Sequence, residues 1–140
     1  MSKLWMSGEI QVDVNESFGK ASNAIEGVVN HLIEDVSFGG KIEQWAFIAI
    51  IRKEDHPLFD EVVKKSSRGK VLEFRLKIPH TEFLSASPKE QTRLILKGLL
   101  RSVTLMDRIG LSAEIQDALR TTLSRAEFEL VGPDIPSQKN

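Results

Sequence analysis

Val71-Leu72-Glu73-Phe74-Arg75-Leu76-Lys77-Ile78 is the stretch on which the fold turns. Leu72, Phe74, Leu76 and Ile78 share one parity; Glu73, Arg75 and Lys77 share the other. Side chains along a strand point alternately to its two faces, so the stretch is predicted to be a half-buried strand, oily on one face and charged on the other. The oily face needs a cover, and helical patterns elsewhere in the chain supply one. The charged face has no evident cover, which makes it the place to look for function.

Working outward, Pro79 closes this strand, and Ser66-Ser67-Arg68-Gly69 before it suits a hairpin turn, with a glycine free to take positive φ. Leu58 to Lys65 reads as a weaker strand, and Arg52 to Pro57 as a charged loop. Trp45-Ala46-Phe47-Ile48-Ala49-Ile50-Ile51 is apolar throughout, as a buried central strand would be. At the start of the chain, Leu4 to Val14 alternates again: Leu4, Met6, Ile10, Val12 and Val14 against Trp5, Ser7, Glu9, Gln11 and Asp13. That predicts a first strand with a polar face, and Gly8 on its apolar side marks a bulge or a close backbone approach.

Helices account for most of the remainder. Asn15 is the expected N-cap of a first helix, whose stripe is Phe18, Ala21, Ile25, Val28, Val29 and Leu32. Ser37-Phe38-Gly39-Gly40 ends it. Ser87-Pro88-Lys89-Glu90 combines a serine cap, proline at the first helical position and glutamate at the third. The wide stripe after it runs from Leu94 to Ile109, and Gly110 stops the helix. Ser112 caps a third helix with Ile115, Ala118, Leu119, Thr122 and Leu123 on one face. Phe128 to Val131 suits a short edge strand, and Gly132 to Asn140 a frayed tail.

The expected order is β-α-β-β-β-α-α. The first helix should join two parallel strands, and the next strands should form an antiparallel meander. This gives an α+β two-layer sandwich: a mixed, mostly antiparallel sheet of about four strands with three helices on one face. Residues 1–131 are expected to form one domain and 132–140 a flexible tail.

The 140 residues are 41% hydrophobic and 28% charged, with net charge −1. That is the balance of a soluble folded protein, without the basic excess of a general nucleic-acid binder. The absence of cysteine excludes disulfides and thiolate metal sites. There is no apolar run of membrane-spanning length, and Gly8, Glu9, Gln11 and Asp13 interrupt any signal peptide, so a cytoplasmic location is expected. The histidines, His31, His56 and His80, show no ligand spacing, and none sits in an H-E-x-x-H frame. Gly39-Gly40-Lys41 lacks the remaining elements of a phosphate loop. Glu9, Asp13 and Glu73 are a candidate carboxylate cluster, but Arg75 and Lys77 beside them favour a cross-strand ion-pair lattice over catalysis. No catalytic residue, metal or cofactor is expected.

A mixed-charge sheet face with one aromatic is a poor base-stacking platform and a reasonable protein-docking surface. The candidate contacts are Trp5, Ser7, Glu9, Gln11, Asp13, Glu73, Arg75 and Lys77, with Glu54 and Asp55 in the charged loop as a second set. Trp5 is either a central anchor of that surface or a side chain packed under the C-terminal tail or a loop.

Leu4-Trp5, Ser7-Gly8-Glu9-Ile10, Trp45 to Ile51, Glu73 to Ile78 and Leu99-Leu100-Arg101-Ser102 together resemble a family of small bacterial immunity proteins that neutralise polymorphic or contact-dependent toxins. The resemblance spans residues 4 to 106, with Val103 where leucine is expected. It implies a cytoplasmic, non-catalytic protein that binds a cognate toxin domain and blocks it. No nucleic acid and no membrane are expected as partners, and a homodimer is left open. Two other classes fit the same composition: a small secretion chaperone or adaptor that holds an extended segment, and a small hydrolase or ligand-binding domain, which requires a deep polar pocket.

Overall fold

A computed structural model describes residues 3–35, 43–53, 62–65 and 70–132. Its strands are β1 (Lys3–Ile10), β2 (Gln44–Ile51), β3 (Val62–Lys65) and β4 (Val71–Lys77). Its helices are α1 (Asn15–Leu32), α2 (His80–Ser85), α3 (Pro88–Leu105) and α4 (Ala113–Val131).

Among the described residues the strands form one sheet in the order β1-β2-β4-β3. β1 runs parallel to β2, as expected for strands joined through a helix. β2 also runs parallel to β4, and only β3 is antiparallel, paired to β4 from Val62↔Arg75 to Lys65↔Leu72. The expected mostly antiparallel sheet and its meander are therefore wrong: β3 does not lie between β2 and β4 but at the edge. Backbone pairing explains why. β2 has eight residues and is buried on both faces, so its buried N–H and C=O groups need partners along its whole length. β4 pairs with it from Gln44↔Val71 to Ile50↔Lys77, which the four residues of β3 could not do.

One face of the sheet carries the core. Leu4, Trp45, Phe47, Ala49, Leu72, Phe74 and Leu76 join Phe18, Ile25 and Val29 of α1 and Ile95, Leu99 and Val103 of α3 in one buried cluster. α4 packs on α1 and α3 and contributes Leu119, Leu123 and Ala126. The close seating of α3 depends on Gly98, where a Cβ would come 2.8 Å from the ring of Phe47. Trp45 Nε1–H donates to Ser102 Oγ at 3.1 Å, tying β2 to α3 inside the core.

Caps follow sequence at two helices and not at the first. Ser87 Oγ accepts from Glu90 N–H, and Ser112 Oγ from Ile115 N–H, as expected. Asn15 is the first residue of α1 rather than its cap, because a 3-10 turn at Val12–Val14 leads directly into the helix. A 3-10 turn at Met106–Ile109 follows α3, and Gly110 stops it with φ 83°. Three further expectations need correction. β1 ends at Ile10, not Val14, because β2 stops at Ile51, and Gln11 N–H makes the last bond to it. Phe128 to Val131 is the last turn of α4, with Phe128 exposed and Val131 buried. The stretch after Pro79, for which no helix was expected, forms the additional helix α2, opened by the buried His80. The turns at Ser37–Gly40 and Ser66–Gly69, residues 54–61 and residues 133–140 lie outside the described residues.

Candidate partner-binding face

Alternation on each strand sets the outer face, and the register aligns it. Trp5, Ala46 and Glu73 form one row; Ser7, Ile48 and Arg75 the next; Glu9, Ile50 and Lys77 the third. Among the described residues, the helices join the core cluster of the opposite face, which does not include Ala46 or Ile50. Trp5 is 46% exposed, beside a buried Ala46. Lys77 is exposed, while Ser7, Glu9, Glu73 and Arg75 are half-buried.

Arg75 organises the face. Its Nε–H donates to Glu73 Oε2 and its Nη1–H to Glu9 Oε2, both at 3.1 Å. Glu9 is on β1 and Arg75 on β4, two strand spacings apart, or roughly 9–10 Å. The arginine thus stretches across β2, over Ile48 and Ile50, to reach it. This is the expected cross-strand ion-pair lattice, with two corrections. Among the described residues Lys77 makes no ion pair, and Asp13 is not part of it. Asp13 sits in the 3-10 turn after β1, where its Oδ1 lies 2.8 Å from Nε2 of the buried His80. The carboxylate accepts from the ring, and the pair fastens the β1–α1 turn to α2. Gln11 lies just beyond the sheet, because β1 ends at Ile10. The loop candidates Glu54 and Asp55, and His56, fall outside the described residues.

One residue of this face escaped the sequence reading: Lys3, exposed, shares the parity of Trp5, and the same alternation would have found it. Arg52, like Gln11, lies just past the end of its strand, and among the described residues its buried Nε has no hydrogen-bond partner.

Chemistry is sparse elsewhere. Among the described residues no group of three or more His, Asp or Glu side chains could hold a metal ion. A cleft of about 530 Å³ between α1 and α3 lies on the helical side, lined by Ser17, Lys20, Ala21, Gln91 and Leu130 among others. No described helix is long and apolar enough to cross a membrane.

The fold and this face define an α+β protein with an open, ion-paired sheet surface backed by helices. Residues 2–125 match the family model Imm44, described as Immunity protein 44, and the chain belongs to that family. The match extends past Met106 into α4, which agrees with the place of that helix in the core. Neither the curated proteins nor the solved structures compared with the chain include a match.

Proposed function

We propose that this chain binds a cognate bacterial toxin domain through the outer sheet face and neutralises it without chemistry of its own. Membership of an immunity-protein family supports a toxin partner. The observation that carries the choice of face is Trp5, half-exposed in the row next to Arg75, whose guanidinium two carboxylates hold in place. Tryptophan and arginine dominate binding energy at protein interfaces, and a side chain ordered beforehand loses less entropy on binding.

In this reading the chain works in the bacterial cytoplasm, one copy to one folded domain of a polymorphic or contact-dependent toxin. A chaperone holding an extended segment by strand addition needs an open sheet edge. At β1 that edge is occupied: Asn30 of α1 bonds both N–H and C=O of Leu4, and Glu26 accepts from Met6 N–H.

The test is calorimetry of the chain with its toxin domain. Trp5→Ala is expected to cost about 2 kcal/mol of binding, roughly thirtyfold in Kd. Unchanged affinity in both Trp5→Ala and the combined charge reversal of Glu9 and Glu73 would reject the sheet face as the interface.

A further inference from the structure

α1 closes the edge of β1 only part of the way. β1 is the outer strand of its sheet, so every second residue turns its N–H and C=O away from β2. Gln11 N–H bonds Ile51 C=O on the β2 side, while Leu4 and Met6 bond Asn30 and Glu26 on the α1 side. The same parity turns Gly8 and Ile10 to the α1 side. Among the described residues no hydrogen bond reaches the N–H or C=O of Gly8 or the N–H of Ile10. Both residues are half-buried, so these groups are not sealed off. At 3.6 residues per turn, Gly19, Asn23, Glu26 and Asn30 lie on one side of α1. The Asn30–Leu4 and Glu26–Met6 bonds set α1 antiparallel to β1, so Asn23 and then Gly19 come next, alongside Gly8 and Ile10. Asn23 is exposed, and among the described residues its amide has no hydrogen-bond partner. Gly19 has no side chain, and no described atom lies within 4 Å of where its Cβ would stand. A glycine inside a helix costs about 1 kcal/mol relative to alanine, and no described neighbour requires this one.

We propose that the edge from Gly8 to Ile10 takes a short extended segment of the toxin domain by strand pairing, in the room left by Gly19 and beside the amide of Asn23. The inference rests on the reading of the chain as a toxin-binding protein and adds the form of the segment it meets. An edge of unbonded N–H and C=O groups is complementary to another extended backbone. Gly8 and Ile10 alternate with Ser7 and Glu9 of the outer face, so a segment paired there continues the sheet beside that face, and one partner covers both. So short an edge suits one loop or edge strand of a folded domain, not the long unfolded segment that a chaperone holds. A second copy of the chain brings its own Asn30 and Glu26 to the edge, which obstruct a two-fold strand pair.

Amide hydrogen exchange of the 15N-labelled chain reads each group separately. In the chain alone, Gly8 and Ile10 should exchange at least about tenfold faster than Leu4 and Met6, at low and high concentration alike. A blocked hexapeptide alternating threonine and valine should shift the amides of Gly8, Ile10 and the Asn23 side chain. Its fully N-methylated copy, which cannot pair as a strand, should not. In the complex with the toxin domain, Gly8 and Ile10 should slow at least about tenfold. Gly19→Leu fills the room beside the edge and should weaken toxin binding about tenfold, while Gly27→Leu, elsewhere on α1, should leave it unchanged. Both replace a helical glycine and should keep or raise the thermal midpoint. Equal exchange of the four amides in the chain alone, no preference for the unmethylated peptide, or unchanged exchange in the toxin complex overturns the inference. Protection that grows with concentration in the chain alone also overturns it, and puts a second copy on the edge. Unchanged exchange of Gly8 and Ile10 in a complex that Trp5→Ala weakens removes the edge and keeps the proposed function. A wild-type chain that binds no toxin domain removes the function, and the peptide pair still decides whether the edge takes an extended segment.

Discussion

Glycine has opposite meanings at different positions of this chain, and the difference is measurable. Gly8 lies in β1, where an added Cβ would stand 2.6 Å from the carbonyl oxygen of Ala49 and 2.5 Å from the side chain of Ile10. A backbone carbonyl in a paired strand cannot move aside. Gly8→Ala should therefore lower stability by about 1–3 kcal/mol, the usual range for overpacking, read as a fall in the urea midpoint. Gly27 is in the middle of α1, exposed, with nothing within 4 Å of the position a Cβ would take. Gly27→Ala should raise stability by about 0.5–1 kcal/mol, through helix propensity and a less flexible unfolded chain. Unequal signs for the two substitutions are the expected result, and a stable Gly8→Ala would mean that β1 is not seated as described. Sequence left Gly8 as a bulge or a close approach, because a glycine on the oily parity of a strand leaves a gap that something must fill, and the structure shows the close approach. Asp13 shows the opposite outcome. The alternation into which it falls continues past Ile10 by chance, and Val12, which that pattern would bury, is 83% exposed.

The edge of β1 is a matter for whole elements. An edge strand presents unpaired N–H and C=O groups that invite another strand. Here α1 supplies the partners from its side: the amide of Asn30 donates to Leu4 C=O and accepts from Leu4 N–H, and Glu26 accepts from Met6 N–H. Asn30→Leu should cost about 1–3 kcal/mol, since it strands two backbone groups in a partly buried site. With Glu26→Ala added, the edge is open from Leu4 to Met6, and the expected outcome is concentration-dependent self-association in analytical ultracentrifugation. A double variant that stays monomeric at high concentration would show that these bonds stabilise the fold without guarding the edge. Elements were legible where their signal is local. The caps at Ser87 and Ser112, the alternation of β4 and the apolar run of β2 all act within a few residues of themselves. The order of strands was not legible, because β2 and β4 meet across a long separation in sequence and nothing in either run names its neighbour. Likewise Phe128 and Leu130 alternate with Glu127 and Glu129 as a strand would, but as the last turn of α4 they follow helical period, with Ala126 and Val131 buried.

At the scale of the molecule, stability and recognition are assigned to opposite faces of one sheet, and two substitutions should separate them. On the inner face Ser102 is fully buried; its hydroxyl donates to Leu99 C=O at 2.6 Å and its oxygen accepts the indole N–H of Trp45. Ser102→Ala leaves that N–H without an acceptor in a site closed to water, at a cost of about 1–3 kcal/mol. The substitution touches nothing on the outer face, so affinity for the toxin domain should not change. On the outer face the bonds of Arg75 to Glu9 and Glu73 are partly exposed, and ion pairs of that kind contribute about 0–1 kcal/mol to folding. Arg75→Ala should accordingly shift the unfolding midpoint little. It should weaken toxin binding at least about tenfold, because it removes an ordered guanidinium and leaves Glu9 and Glu73 with no cation between them. Urea unfolding and calorimetry on the two variants form a two-by-two comparison: stability lost with affinity kept for Ser102→Ala, affinity lost with stability kept for Arg75→Ala. An Arg75→Ala chain that unfolds early and binds normally would mean that the lattice belongs to the scaffold and that the toxin's contact lies elsewhere on the chain.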